Sequence, residues 1–195
     1  IVETPSAAEK VTLPIEEVKP VEIIQSEKNE QPTNDMFSPK TGLGWESSLL
    51  LRLNSELNRA ISSEFDLSLF IIRIPEINHD DSRIKIISEY LLNQFQFKDL
   101  LFEYKNDSFV AIKTNASLDE SLIFAEKIHE EIINLFPEDK INCFIGISTR
   151  TIRIISGERL LHETEEALNH TSSENESYII AFRANIEKYR QYMNS

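Results

Sequence analysis

The chain has 195 residues, 41% hydrophobic and 27% charged, with a formal net charge of −13. This is material for one packed domain plus an appendage, and an acidic surface argues against nucleic-acid binding by bulk electrostatics. Cys143 is the only cysteine, which excludes an intrachain disulfide and a Cys-x-x-Cys metal or redox pair. Within the apolar run 141–147 it reads as a small buried hydrophobe. No apolar run is long enough to span a membrane, and no signal peptide is visible. The first residue is Ile rather than Met, so a fragment is expected, with a sensor or membrane segment possible upstream. The expected location is cytoplasmic, including the cytosolic part of an anchored protein.

Residues 1–36 hold eight acids against three lysines, four prolines and no aromatic residue. That composition predicts a disordered or extended acidic linker, with Val21-Glu22-Ile23-Ile24 a minor candidate for strand addition to a partner. The domain is expected from Phe37 to the end, 37–195. Residues 45–61 predict a helix with Leu49, Leu50, Leu53, Leu57 and Ile61 inside and Arg52, Glu56 and Arg59 outside. Residues 65–74 predict a strand covered on both faces. A helix over 82–95 follows, carrying Ile86, Ile87, Tyr90, Leu91 and Gln94, with Asp80-Asp81 as its cap. Residues 100–113 read as a hairpin around Lys105-Asn106-Asp107-Ser108, where Asn and Asp tolerate left-handed backbone. A long helix over 117–136 carries Leu118, Leu122, Ala125, Ile128, Ile132 and Leu135, opened by a Ser117/Glu120 capping box and closed by Pro137. Strand 141–148, a helix over 156–170 with Leu160, Leu161, Thr164 and Leu168, a strand over 178–182 and a terminal helix over 183–192 complete the chain.

After the first helix the order is βαββαβ, then a helix and a last strand. The fold class is α/β (α+β) with a ferredoxin-like core, helices lying on one face of an antiparallel sheet. Asp107 reads first as a turn former. Arg73 with Glu76 and Asp107 would make a surface ion pair of little energetic weight, while Lys105 with Arg73 could hold an anion. His79, His129, His162 and His170 show no metal-like spacing and read as solvated. Glu163, Glu165 and Glu166 read as a solvated helix face.

Four segments carry a family resemblance. Glu103-Tyr104-Lys105-Asn106-Asp107-Ser108-Phe109 resembles the hairpin Arg-Tyr-Gly-Gly-Asp/Glu-Glu-Phe of the GGDEF (diguanylate cyclase) family, keeping Tyr104, Asp107 and Phe109. Thr41-Gly42-Leu43 is similar to the family's T-G-L turn before the first helix. Phe144-Ile145-Gly146-Ile147-Ser148 resembles its S-I-G-V-A strand, and residues 160–169 resemble its L-L-x-x-A-D-x-A-L-Y helix. The resemblance covers roughly 37–182 and implies a nucleotidyl-cyclase-like fold with an antiparallel central sheet and flanking helices.

The resemblance also implies what chemistry to expect. Joining two GTP molecules requires Mg²⁺, which takes hard carboxylate oxygens. The matching positions here are Arg73, in place of the first Asp of D-x-D-x-F-K, and Ser108, in place of the signature Glu. Lys105 and Asn106 replace the glycines that let a triphosphate approach. Residues 75–82 are too few to hold the family's guanine-recognition loop, and Ser172 stands where a phosphate-neutralising lysine is expected. At the product-binding R-x-x-D motif the residues are Gln96-Phe97-Lys98-Asp99, which keeps Asp99 but loses the arginine clamp.

The expectation is an inactive GGDEF-like domain with no cofactor or bound metal, serving bacterial signalling as a regulatory or protein-interaction module through a protein partner or self-association. The alternative is a receptor for GTP or cyclic di-GMP, binding weakly through Arg73, Lys105, Asn106, Asp107 and Ser108, with Gln96 and Asp99 as an inhibitory-site remnant. An active cyclase with rearranged ligands, or another ferredoxin-like binding module, are the remaining readings.

Overall fold

Leu67–Arg73 (β1) is the middle strand of the sheet, and its residues from Leu67 to Ile72 are all buried. A run without polar alternation suits a strand covered on both faces. The computed structural model describes residues 36–174 and 176–185. Around β1 it places α1 (Glu46–Ser62), α2 (Ile84–Phe95), a 3₁₀ turn (Lys98–Leu100), β2 (Leu101–Tyr104), β3 (Ser108–Thr114), α3 (Leu118–Leu135), β4 (Phe144–Thr149), α4 (Gly157–Asn169) and β5 (Ile179–Ala181). The sheet order is β2-β3-β1-β4-β5. All neighbours are antiparallel except β4 and β5, which run parallel.

The helices of the βαββαβ unit, α2 and α3, lie on one face as expected, while α1 and α4 cover the other face. One core joins Phe70, Ile72, Phe109 and Ile145 to Ile87 and Leu91 of α2 and to Ala125, Ile128 and Ile132 of α3. The other joins Leu69, Ile71, Val110 and Phe144 to Leu49, Leu53 and Leu57 of α1 and to Leu160 and Leu168 of α4. The two helices outside the βαββαβ unit make the second layer. The linker expected over 1–36 and its Val21–Ile24 piece fall, up to residue 35, outside the described residues. So does the terminal helix expected over 183–192 from residue 186 on; residues 183–185 are not helical.

Element ends follow local chemistry. Ser117 and Glu120 form the reciprocal capping box that opens α3, as the sequence indicates. The α2 start differs: Arg83 is its N-cap residue, without a side-chain cap. Asp81 instead accepts the Arg83 N–H (2.8 Å), and Asp80 pairs with Lys40. Gly42 takes a left-handed φ of 71° in the turn before α1, a conformation open to glycine without strain. The turn is closed by Ser38 N–H donating to the Leu43 carbonyl and Gly42 N–H to that of Ser38.

Two acids lie where the helical stripes bury them. Glu56, expected outside α1, is buried between Arg52 and Arg59, whereas Leu50 is exposed and Ile61 half-buried. Glu163, expected to be solvated, is 2% exposed. Arg153 grips it with two 2.9 Å bonds, Ser148 donates to it at 2.9 Å, and Arg159 adds a bond at 3.1 Å. Both side chains of the Arg153–Glu163 pair are buried, with Arg153 also donating to the Thr149 carbonyl (2.6 Å). Removing one partner leaves an uncompensated buried charge.

Two stability changes follow. A Cβ at Gly146 would sit 2.5 Å from the Thr164 carbonyl oxygen and 2.7 Å from the Leu168 nitrogen, where α4 backbone lies directly on β4. Gly146→Ala is therefore expected to destabilise the domain by about 1–3 kcal/mol in urea unfolding. Glu163→Ala, which strands Arg153 in the interior, is expected to cost roughly 3–5 kcal/mol by the same measurement. A midpoint unchanged from wild type in either variant contradicts the packing described.

Candidate functional site

The register of three strands builds the site. Tyr104 pairs with Ser108, Ser108 with Arg73, and Arg73 with Phe144. Cross-strand partners project to the same face, so these four form one row on the α1/α4 side, where Tyr104 and Phe144 belong to the core. Arg73 and Ser108, far apart in sequence, thus stand side by side at the end of the sheet.

The turn between β2 and β3 is held from several directions. Lys105 has a left-handed φ of 51°, while Asn106 and Asp107 do not take positive φ; the left-handed conformation falls on the lysine, not on the Asn or Asp that best suit it. The Lys105 N–H donates to Glu46 at the start of α1 (3.0 Å), and its Nζ meets Glu165 of α4 at 2.7 Å. Glu165 also accepts the Tyr104 hydroxyl at 2.7 Å. Burial opposes ionisation of Glu165, but Lys105 and Tyr104 outweigh it and hold its carboxyl below the ordinary carboxylate range. Burial, with Glu165 beside it, pushes the Tyr104 hydroxyl upward. On the other side, the Asp107 carbonyl accepts Ile74 N–H (2.9 Å) and the Asn106 carbonyl accepts His79 N–H (3.0 Å), docking the segment after β1 on the turn.

The expected ion pair of Arg73 with Glu76 and Asp107 is not formed among the described residues. Glu76 instead accepts the Asn142 N–H and side-chain amide, and Asp107 Oδ1 accepts the Ser108 hydroxyl at 2.9 Å. The Arg73 guanidinium lies 5.4 Å from the centre of the Phe144 ring, a cation–π distance. Its Nε is buried without a hydrogen-bond partner. Lys105 is committed to Glu165, so the expected pairing of Lys105 and Arg73 around one anion leaves Arg73 as the cation without an acid.

The hairpin's other face carries a network that sequence reasoning did not anticipate. Buried Glu103 accepts the Thr41 hydroxyl at 2.6 Å, and His79 Nδ1 lies 3.8 Å from its carboxylate. The His79 ring packs on Phe109, and its Nε2 lies 3.0 Å from the Ser108 carbonyl oxygen. His129 is also not solvated, since it packs on Tyr178 with Nδ1 2.8 Å from the Cys143 carbonyl oxygen. Cys143 is buried and its thiol pushed upward by burial, so it stays protonated. Asp99 meets an arginine from α1: Arg52 donates to it at 2.8 Å. Gln96 is exposed and ends α2 with a φ of 68°. Glu165 is half-buried, and Glu166 pairs loosely with His162 at 3.5 Å. Among the described residues, no three His, Cys, Asp or Glu side chains are grouped to hold a metal ion, and no helix is long and apolar enough to cross a membrane.

No protein-family model matches the chain. An uncharacterized protein of Treponema pallidum (strain Nichols) is 38% identical over 89 residues, covering 45% of this chain and 50% of that protein, so the match spans about half the relative's length. Among solved structures, the GGDEF domain of DgcB from Caulobacter crescentus in complex with c-di-GMP is similar at a TM-score of 0.67 and 14% identity, over 82% of this chain and 100% of that one. Diguanylate cyclase SiaD of Pseudomonas aeruginosa, in complex with its activator SiaC, is similar at 0.64 and 14% identity, over 75% of this chain and 61% of that one. The FimX GGDEF domain from the same organism is similar at 0.63 and 12% identity, over 75% and 99%. With the sheet order, the helices on both faces and the hairpin beside the central strand, these similarities show that the chain has the fold of the GGDEF domains.

Proposed function

We propose that this is a GGDEF-fold domain that does not join GTP molecules and acts as a regulatory or protein-interaction module in cyclic di-GMP signalling. The observation that supports it most directly is the pairing of Arg73 with Ser108 across β1 and β3. By resemblance these two positions would supply the carboxylates for Mg²⁺. A guanidinium is a fixed cation and a hydroxyl carries no charge, so this donor set does not fit a hard divalent ion. The clamped turn supports the same reading. Glycines at Lys105 and Asn106 would let a triphosphate lie against the backbone, whereas Lys105 carries a side chain drawn onto α4.

A domain with an intact fold and altered site residues retains surfaces for docking, and function resides in such sites rather than in the fold itself. SiaD, of similar fold, is solved with an activator protein bound. For this chain we infer contact with a protein partner or self-association as the mode of action.

Incubating the protein with GTP and either Mg²⁺ or Mn²⁺, with chromatographic analysis of the products, tests the first half of this reading. The expected outcome is GTP recovered unchanged from a sample that melts cooperatively. Cyclic di-GMP formed in proportion to the protein added would overturn it.

A further inference from the structure

We propose that Arg73 is the centre of a site for a phosphate-type oxyanion that binds without a divalent metal. The starting point is the way the domain uses its arginines. Arg52 is taken by Glu56 and Asp99, Arg59 by Glu56, Arg83 by Asp81 and Asp139, and both Arg153 and Arg159 by Glu163. Arg150 donates to the Phe65 carbonyl at 2.7 Å. The chain has 33 acidic residues, yet the Arg73 side chain has no ion pair or hydrogen bond to any described residue. Its Nε is also buried without an acceptor. Nε is unmet in Arg52 and Arg150 as well, but their terminal nitrogens are bonded. A buried charged donor left unmet retains its desolvation cost, which an incoming acceptor relieves.

The surroundings of Arg73 suit an oxyanion. The guanidinium lies 5.4 Å from the centre of the Phe144 ring, and its terminal N–H groups, which no described residue accepts, can bind two oxygens of one group, the geometry that favours phosphate. Of the acids on adjoining elements, Glu165 is met by the Lys105 ammonium, while Asp107 and Glu46 accept from neutral donors, the Ser108 hydroxyl and the Lys105 N–H, and keep their charge. Arg73 is partly exposed at the end of β1, so a ligand can reach it from solvent. A fixed guanidinium supplies the positive charge that a metal ion would otherwise bring to a phosphate group. This goes beyond the regulatory reading and does not depend on whether the domain turns over GTP.

Titration calorimetry of the whole chain in EDTA, with pyrophosphate, GTP and cyclic di-GMP in turn, tests the site. Pyrophosphate is expected to bind saturably in EDTA, and Arg73→Gln to weaken it by about tenfold or more. Lys105→Gln, which removes a cation already paired with Glu165, is expected to weaken it less. GTP binding more tightly than pyrophosphate identifies a nucleotide source, and equal affinity identifies the phosphate group alone; both support the site. Thermal melts establish that each variant is folded. If Arg73→Gln is not, a folded Arg73→Lys carries the comparison, and it must bind more weakly than wild type. No binding of millimolar pyrophosphate by the wild-type chain, binding only after Mg²⁺ is added, or an Arg73→Lys affinity equal to wild type would overturn the proposal. A failure here leaves the outcome of the GTP incubation untouched, so the two readings are separately decided.

Discussion

Everything in this domain is referred to the pairing of β1 with β3 on one side and β4 on the other. A central strand bonded along both edges and packed on both faces cannot shift by one residue without turning Phe70 and Ile72 into the wrong core. That constraint sets which side chains meet at the end of the sheet. It fixes Arg73 between Ser108 and Phe144, and it puts Glu103 on the opposite face with Thr41 and His79. The chemistry available at the site follows from register rather than from neighbouring sequence.

The elements themselves were legible because their periods are clean. The apolar run at Leu67–Ile72 is short and rich in Ile and Phe, which favours a strand, the spacing of Ala125, Ile128 and Ile132 is helical, and the Ser117/Glu120 pair marks a helix start directly. The layer assignment was less accessible. An amphipathic helix shows that it has an inner face, but not which side of a sheet it lies against, so α1 and α4 came out as a second layer only in three dimensions. The burial of Glu56 and Glu163 is hidden in the sequence for a related reason. Each lies on its helix's buried stripe, Glu56 between Leu53 and Ala60 and Glu163 between Leu160 and Ala167. An acid at such a position signals a buried ion pair, yet its arginine need not be on the same turn: Arg153 precedes α4 altogether.

Site residues were readable as identities but not as partners. That a cation and a hydroxyl occupy positions 73 and 108 is plain from the sequence. That Glu76 would turn to Asn142, Lys105 to Glu165 and Arg52 to Asp99 is not, because each bond joins elements brought together only by folding. The histidines show the same limit: His79 and His129 have ordinary solvated spacing in sequence, and each is drawn against an aromatic ring by tertiary packing.

The turn that precedes α1 has a further effect. Gly44 donates to the Leu101 carbonyl and accepts the Glu103 N–H, both at 2.9 Å, so it sits on the outer margin of β2, with Phe37 bridged to it in turn. The left-handed step at Gly42 aims the chain into that position, and Lys98 stacking over Phe37 anchors its far end. An uncovered strand margin is a template on which another polypeptide can crystallise into an endless ribbon. Here Gly44 occupies the outward Leu101 carbonyl and Glu103 N–H, which takes those groups away from any second sheet.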